Sequence, residues 1–406
     1  MLANKTISWI LIFLYLCIPY LPLFGEIDRI ASQWTFLSVL NFLSLIFITF
    51  RTKLFELKNI LLSNFTLFYG LFLLFSIISM INATNLTESF VEFFRYFSVF
   101  LLIILLPFLV TKFENYKTII FFMVFYSLID VLGIFLQYNT DLPLIGFTGN
   151  KNIASASLII KSNAILFLCS KYKNIFSRIF VFIFTLCTYS VIFLIGSKAG
   201  FLSSIFVMIL LLVFATIKKL KSKFNLIIVF SILCAILISS ISNKTIQNNI
   251  EDTVNITNDT GSTDRLRYYG QAFQAFIEHP LTGIGIGNWK IYSIKYDSRT
   301  MNNYVVQYHT HNDYIQFFAE IGIGAIFYVL FIVYFFIVIV RLFKLHEKID
   351  EDSIAILMIS ILGYCIYLID SNLNFPAARV VMQINLASIL ALLLSIKHKN
   401  IQIENN

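Results

Sequence analysis

The chain's 406 residues are 58% hydrophobic and only 13% charged, with 44 phenylalanines and a net charge of +8. A soluble domain averages about 25% charged residues and has no long uninterrupted apolar runs, so this is not the composition of one. Lipid-out, polar-in strand alternation is also absent, and the expected fold class is an all-α polytopic membrane protein. The positive charge implies no nucleic-acid partner, because Lys and Arg of a membrane protein collect in its cytoplasmic loops.

Lys5 before an apolar run resembles the start of a signal peptide. The run continues past Pro19 and Pro22 without a small-residue cleavage site, which reads as a first, uncleaved span. A span needs about 20 apolar residues. Candidate runs fall at 6–24, 30–50, 60–81, 90–110, 118–136, 153–170, 179–195, 200–217, 224–241, 316–340, 353–370 and 380–396, about twelve in all. One alternate set of connections carries Lys5, Arg51, Lys53, Lys58, Lys112, Lys117, Lys171, Lys173, Arg178, Lys218, Lys219, Lys221, Lys223, Arg341, Lys344, Lys348, Lys397 and Lys399. The other set is poor in Lys and Arg until a long connection at 242–315. This asymmetry puts both termini in the cytoplasm and residues 242–315 outside. The chain therefore divides into spans 1–9 (residues 1–241), an external loop (242–315), and spans 10–12 with a short tail (316–406). Cys17, Cys169, Cys187, Cys234 and Cys365 all fall in apolar runs, which suggests neither a disulfide framework nor a CxxC metal site.

Ser242–Thr263 is rich in Asn, Thr and Asp and reads as flexible surface. From Arg265 to His279 the pattern turns helical, with Leu266, Tyr269, Ala272, Phe273 and Phe276 on one face. An amphipathic helix there is expected along the membrane surface. Pro280 stops it, and Gly283, Gly285 and Gly287 make a turn. A dinucleotide loop is the alternative, but no strand precedes the glycines and no βαβ unit surrounds them. Glu92, Arg95, Asp130, Lys161, Lys198 and Asp370 lie in or beside spans. Such residues are costly in lipid and face the protein interior. Glu92 and Arg95, three apart, are expected to pair with each other. Asp130 and Lys161 have no partner that the sequence reveals, and Lys198 sits in an external Gly196–Gly200 hairpin.

Three of the five histidines, His279, His309 and His311, fall in this polar segment. The run His309-Thr-His311-Asn-Asp313 allows a metal site, a general base or a structural role; companion metal ligands are missing. Arg265, Arg267, Lys198 and Arg379 are each readable as interface anchors. Together they would suit a diphosphate, which Arg grips bidentately and Lys as a point charge.

Arg265-x-x-x-Tyr269, Ala272, His279-Pro-Leu-x-Gly283-x-Gly285-x-Gly287-Asn288, His309-x-His311-Asn312-Asp-Tyr314 and Glu320-x-Gly322 together resemble the signature of the O-antigen ligase and O-antigen polymerase superfamily. The Gly196-Ser-Lys198-Ala-Gly200 hairpin stands where that family has a Ser-Arg-Gly turn. The family's layout is also about twelve spans with one large external loop. The resemblance implies a GT-C-type membrane glycosyltransferase of the bacterial inner membrane that needs neither metal nor other cofactor. Its donor would be a glycan on undecaprenyl diphosphate. Its acceptor would be a lipid A core sugar for a ligase, or another lipid-linked repeat for a polymerase. His311 matches the catalytic histidine and Arg265 the arginine that contacts the lipid diphosphate. Lys198 replaces an arginine, keeping charge but losing the bidentate grip. Ala325 stands where the family often has Gly. Tyr269, Arg267, His309, Asn312 and Arg379 are expected beside the substrate. A lipid-linked sugar transporter is a different class. It would show an internal repeat and helices broken at midplane, whereas the polar groups here gather outside the spans.

Overall fold

The computed structural model describes residues 2–21, 29–52, 54–172, 174–217, 220, 223–242, 260–297 and 307–404. Arg299, the lysines at 53, 173, 218, 219 and 221, and most of two segments singled out above (22–28 and 243–259) lie outside the described residues.

With one-turn helices left unnumbered, the chain runs α1 (Leu2–Cys17), α2 (Arg29–Arg51), α3 (Asn64–Ser79), α4 (Leu86–Lys112) and α5 (Tyr116–Asn139). It continues through α6 (Lys151–Ser162), α7 (Ile165–Lys171), α8 (Ile175–Ile195), α9 (Lys198–Thr216) and α10 (Lys223–Ser242). The last elements are α11 (Thr260–Glu278), α12 (Asp313–Ile321), α13 (Ile326–Lys344), α14 (Glu351–Leu373) and α15 (Val380–Glu404). Among the described residues nine stretches are long and apolar enough to cross a membrane, α6–α7 and α12–α13 each counting as one. Three shorter apolar helices, Asn4–Tyr20, Phe224–Ser240 and Val380–Ile396, complete the expected set. The protein is an all-α polytopic membrane protein.

Helix α15 is the hub: its 380–396 portion is almost wholly buried, and it packs on α4 and α14. At one end of the bundle the connections are tied to one another by side chains. Gln33 donates to the Phe147 carbonyl, Asn82 to the Gly283 carbonyl and Asn152 to Asn374 Oδ1. Helices that start at this end have side-chain caps, with Asn85, Asn150, Ser197 and Asn312 accepting from N–H groups of the first turn. Each such cap contributes about 1 kcal/mol to its helix. The Lys-rich connections lie at the other end, where Lys112 pairs with Glu56 and Lys171 with Asp352.

Two expectations change here. Helix α11 begins at Thr260, earlier than Arg265, and its expected apolar face is split. Ala272 and Ala275 are fully buried in the contact with α12, whereas Leu266 is 67% and Phe273 59% exposed. The small residues take the packed side because they let two helices approach closely. Asp130 and Lys161 find each other across α5 and α6: they form an ion pair, Lys161 Nζ donates to Tyr20 Oη (2.7 Å), and Tyr20 Oη donates to Asp130 Oδ1 (2.9 Å). Glu92 and Arg95 pair as expected at 2.9 Å.

Candidate functional site

The site is assembled where the segment leading into α12 meets the α14–α15 connection. Thr310 Oγ1 accepts from Asn312 N and donates to the Asn312 carbonyl, and Asn312 Oδ1 accepts from Ile315 N. This tight turn forces His311 into the left-handed region, φ 60°. That conformation costs a residue other than Gly about 1–3 kcal/mol and persists only when its surroundings over-determine it. One restraint is the hydroxyl of Tyr269 on α11, which lies 3.0 Å from the His311 carbonyl oxygen and 3.1 Å from that of Asn372. A second is Asp313, whose Oδ2 accepts from Ala377 N (3.0 Å) and joins α12 to the α14–α15 connection.

Phe375 is the platform between the two arms. The His309 ring stacks on it (4.3 Å between centroids, 16°), the His311 ring meets it edge-on at 5.1 Å, and the Arg379 guanidinium lies 4.9 Å from its centroid.

The glycine turn is the brace beneath α12 and carries no nucleotide fold. Gly285 N donates to the Glu320 carbonyl and Ile284 N to the Ala319 carbonyl. At Gly283 (φ 69°) a Cβ would lie 2.3 Å from the Glu320 carbonyl carbon, and at Gly287 (φ 75°) one would lie 2.8 Å from Glu92 Cβ. Only glycine permits both the backbone sign and these approaches. Asn288 then locks the turn to α4, accepting from Asn85 N and donating to Ser89 Oγ, each at 2.7 Å.

Between these parts lies a cavity of about 500 Å³ lined by His309, His311, Arg379, Phe375 and Tyr268, and by Glu92, Arg95, Lys290, Gln307, Gln316 and Glu320. This falls in the range of small-ligand sites. His309 Nδ1, His311 Nδ1, Gln307 Oε1 and Glu320 Oε2 are buried without hydrogen-bond partners. Native interiors leave few such atoms, and four around one cavity mark where a ligand's polar groups belong. Burial, reinforced by the positive charge of Arg265, holds His311 down to about 4. Burial, then the charge of Arg379, holds His309 at about 3. Both rings are therefore neutral at neutral pH.

His309, His311 and Arg379 line this cavity directly, and Arg265 acts on His311 through its charge. Asn312 and Tyr269 build the turn that presents His311; both polar atoms of the Asn312 side chain are committed to backbone groups. Lys198 is not among the lining residues. It opens α9, and its hairpin is held to the site by the chain Ser197–Asn152–Asn374–Asp370. Arg267 lies elsewhere: it pairs with Asp264 at 3.3 Å, sits 5.2 Å from the Tyr268 ring centroid, and lines a separate open groove with Glu278 and Lys295. Tyr292 and Lys295 hold Glu278 there at about 2.

Phe375, Gln307 and Gln316 carried no sequence signal, whereas Lys290 is one of the charged residues crowded into the polar segment between Gly261 and Ala325. Glu92 and Arg95 carried one as charged residues in or beside apolar runs, and Glu320 through the string Glu320-x-Gly322. Among the described residues no group of three or more His, Cys, Asp or Glu is placed to hold a metal ion.

A family model described as O-antigen ligase matches residues 180–330, from within α8 into α13. The match takes in the Lys198 hairpin, α11, the glycine turn and the histidine segment, while Glu92, Arg95, Phe375 and Arg379 lie outside it. No curated protein matches the chain. Over that matched stretch, which is less than half of the chain and is set in an all-α membrane bundle, the protein is similar to the O-antigen ligase family.

Proposed function

We propose that the protein is an O-antigen ligase-type glycosyltransferase. It moves a glycan from undecaprenyl diphosphate to a hydroxyl of a lipid A core sugar, at the periplasmic face of the bacterial inner membrane. Both termini are then cytoplasmic, and the cavity end of the bundle faces outward.

One observation carries the reading: a neutral histidine, held in a strained backbone conformation, shares a cavity of ligand size with buried unpartnered polar atoms and arginine charge. In the reaction, an imidazole nitrogen of His311 takes the proton of the acceptor hydroxyl. The freed oxygen bonds to the anomeric carbon, and the bond from that carbon to the phosphate oxygen breaks with inversion. The electron pair departs on the lipid diphosphate, whose growing charge is stabilised by Arg265 and Arg379, with Lys198 contributing from the α9 hairpin. No metal is required if these cations supply that stabilisation. Donor binding also tunes the base: the diphosphate's negative charge offsets the arginine charge that depresses His311 and raises its proton affinity when the substrate is in place.

The test is a polysaccharide gel of a strain lacking the gene, complemented with wild type or His311→Asn. Asn tolerates the left-handed conformation, so this variant removes the base and keeps the turn. A ligase gives long chains on core with wild type and accumulated lipid-linked polymer with the variant. Core capped by a single repeat in the deletion strain would make the protein a polymerase. Equal function of wild type and variant would sink the assignment of His311.

A further inference from the structure

The cavity has two chemically different walls, and the transfer reaction as drawn uses only one. The wall built from the histidines and Arg379 is cationic through Arg379, and the charge of Arg265 acts on it at His311. The other wall combines Glu92 and Arg95 of α4, Lys290 and Gln307 of the loop, and Glu320 of α12. Its cations are compensated: Arg95 pairs with Glu92 at 2.9 Å and Lys290 with Glu88 at 2.7 Å. Glu320 is 1% exposed and uses Oε1 to accept from Trp289 N, while Oε2 has no partner; Gln307 is 6% exposed, and its Oε1 has none either.

Such a wall has no uncompensated positive charge to hold a diphosphate and offers hydrogen-bonding groups at fixed positions. Hydroxyl groups of a neutral sugar complement it, donating to Glu and Gln oxygens and accepting from Arg95. The cost of leaving buried acceptors unpaired makes this kind of site discriminating, because an analogue lacking the hydroxyl leaves them unsatisfied. Gly287 fixes the spacing of the wall, since its backbone packs directly on Glu92 Cβ.

We infer that Glu92, Arg95, Gln307 and Glu320 form the acceptor-sugar subsite, which presents a sugar hydroxyl to His311 while the lipid diphosphate occupies the arginine wall. The assignment rests on the transferase reading above and adds the residues that choose the acceptor. Neither Glu92 nor Gln307 has a role in removing the proton or stabilising the leaving group. Their loss therefore moves the acceptor KM and leaves the donor KM in place.

The experiment uses the full chain purified in detergent, with two probes: core oligosaccharide released from lipopolysaccharide by mild acid, and undecaprenyl diphosphate. Saccharide affinity is expected to fall at least tenfold in Glu92→Gln and in Gln307→Ala, with the diphosphate affinity of both variants within twofold of wild type. In transfer assays the same variants raise the acceptor KM by a similar factor, with donor KM held. Gln307→Ala guards against misfolding, because Gln307 Oε1 serves no protein donor. Saccharide affinity unchanged in both variants overturns the subsite, as does an equal loss of diphosphate affinity, which would move the wall to the donor. Wild type that binds saccharide through this wall yet transfers nothing overturns the transferase reading and leaves the subsite standing.

Discussion

The Tyr20–Asp130–Lys161 cluster and the His309–His311 cavity both place ionisable side chains among apolar helices, but they meet the cost of burial differently. In the first, the ammonium, carboxylate and phenol satisfy one another at hydrogen-bond distance, and Lys161 keeps only 3% of its side-chain surface exposed. Nothing there is left for a ligand. In the second, four polar atoms are buried without partners, and a histidine is held at φ 60°. A closed polar cluster holds helices together; an open one leaves hydrogen-bonding capacity unsatisfied, which is what a binding site requires.

The largest effects should come from the open cluster. His311→Asn is expected to lower transfer about 10²–10⁴-fold, the range for a lost general base, with wild-type levels of inserted protein by immunoblot. Arg265→Ala should cost about 10²–10³-fold, as for one lost transition-state donor; retained transfer would remove Arg265 from the mechanism. The closed cluster should respond in stability instead. Asp130→Leu or Lys161→Met alone strands a buried charge and is expected to cost about 3–5 kcal/mol, while the double variant recovers most of it. Thermal unfolding in detergent reads this out, and a double variant no better than either single would show that the two residues do not act as a pair.

The pH dependence sharpens the contrast. Burial depresses His311 in the folded state to about 4, whereas an unfolded chain protonates near 6.5. Its contribution to stability is therefore complete above pH 6.5, is lost as pH falls from there through about 4, and is constant below. The acid limb of kcat/KM, which reports the free enzyme, should fall near pH 4, and that of kcat should lie higher because bound diphosphate favours the imidazolium. A single limb at pH 6.5 in both would contradict the burial of His311. The smallest effect belongs to Arg267→Ala, expected to change transfer less than threefold, because Arg267 lies in its own groove. A loss equal to that of Arg265→Ala would mean the substrate reaches across α11.

Much of this was legible in the chain. Long apolar runs announce their helices because no other backbone survives in lipid. The glycine turn and the caps are local chemistry, readable within a few residues. That Arg267 points away from Arg265 was legible too, since two residues along a helix rotate the side chain by about 200°. The Asp130–Lys161 pair could not be read: the partners are on neighbouring helices, and a single sequence does not encode the register between them. The same holds for Phe375, an ordinary apolar residue until the fold places two histidines and an arginine on its ring.

The sequence by itself determined the all-helical membrane bundle, the order of its spans and the string from Arg265 to Gly322, because apolar run length and backbone sign are local constraints. Only the tertiary structure decided which charges neutralise each other and which line the cavity. Glu92 and Arg95 pair through a spacing of three along one helix, as the sequence implied. Whether that pair faces lipid, a neighbouring helix or an open site depends on how α4 is turned against the glycine loop, and that rotation is set by packing across the whole bundle.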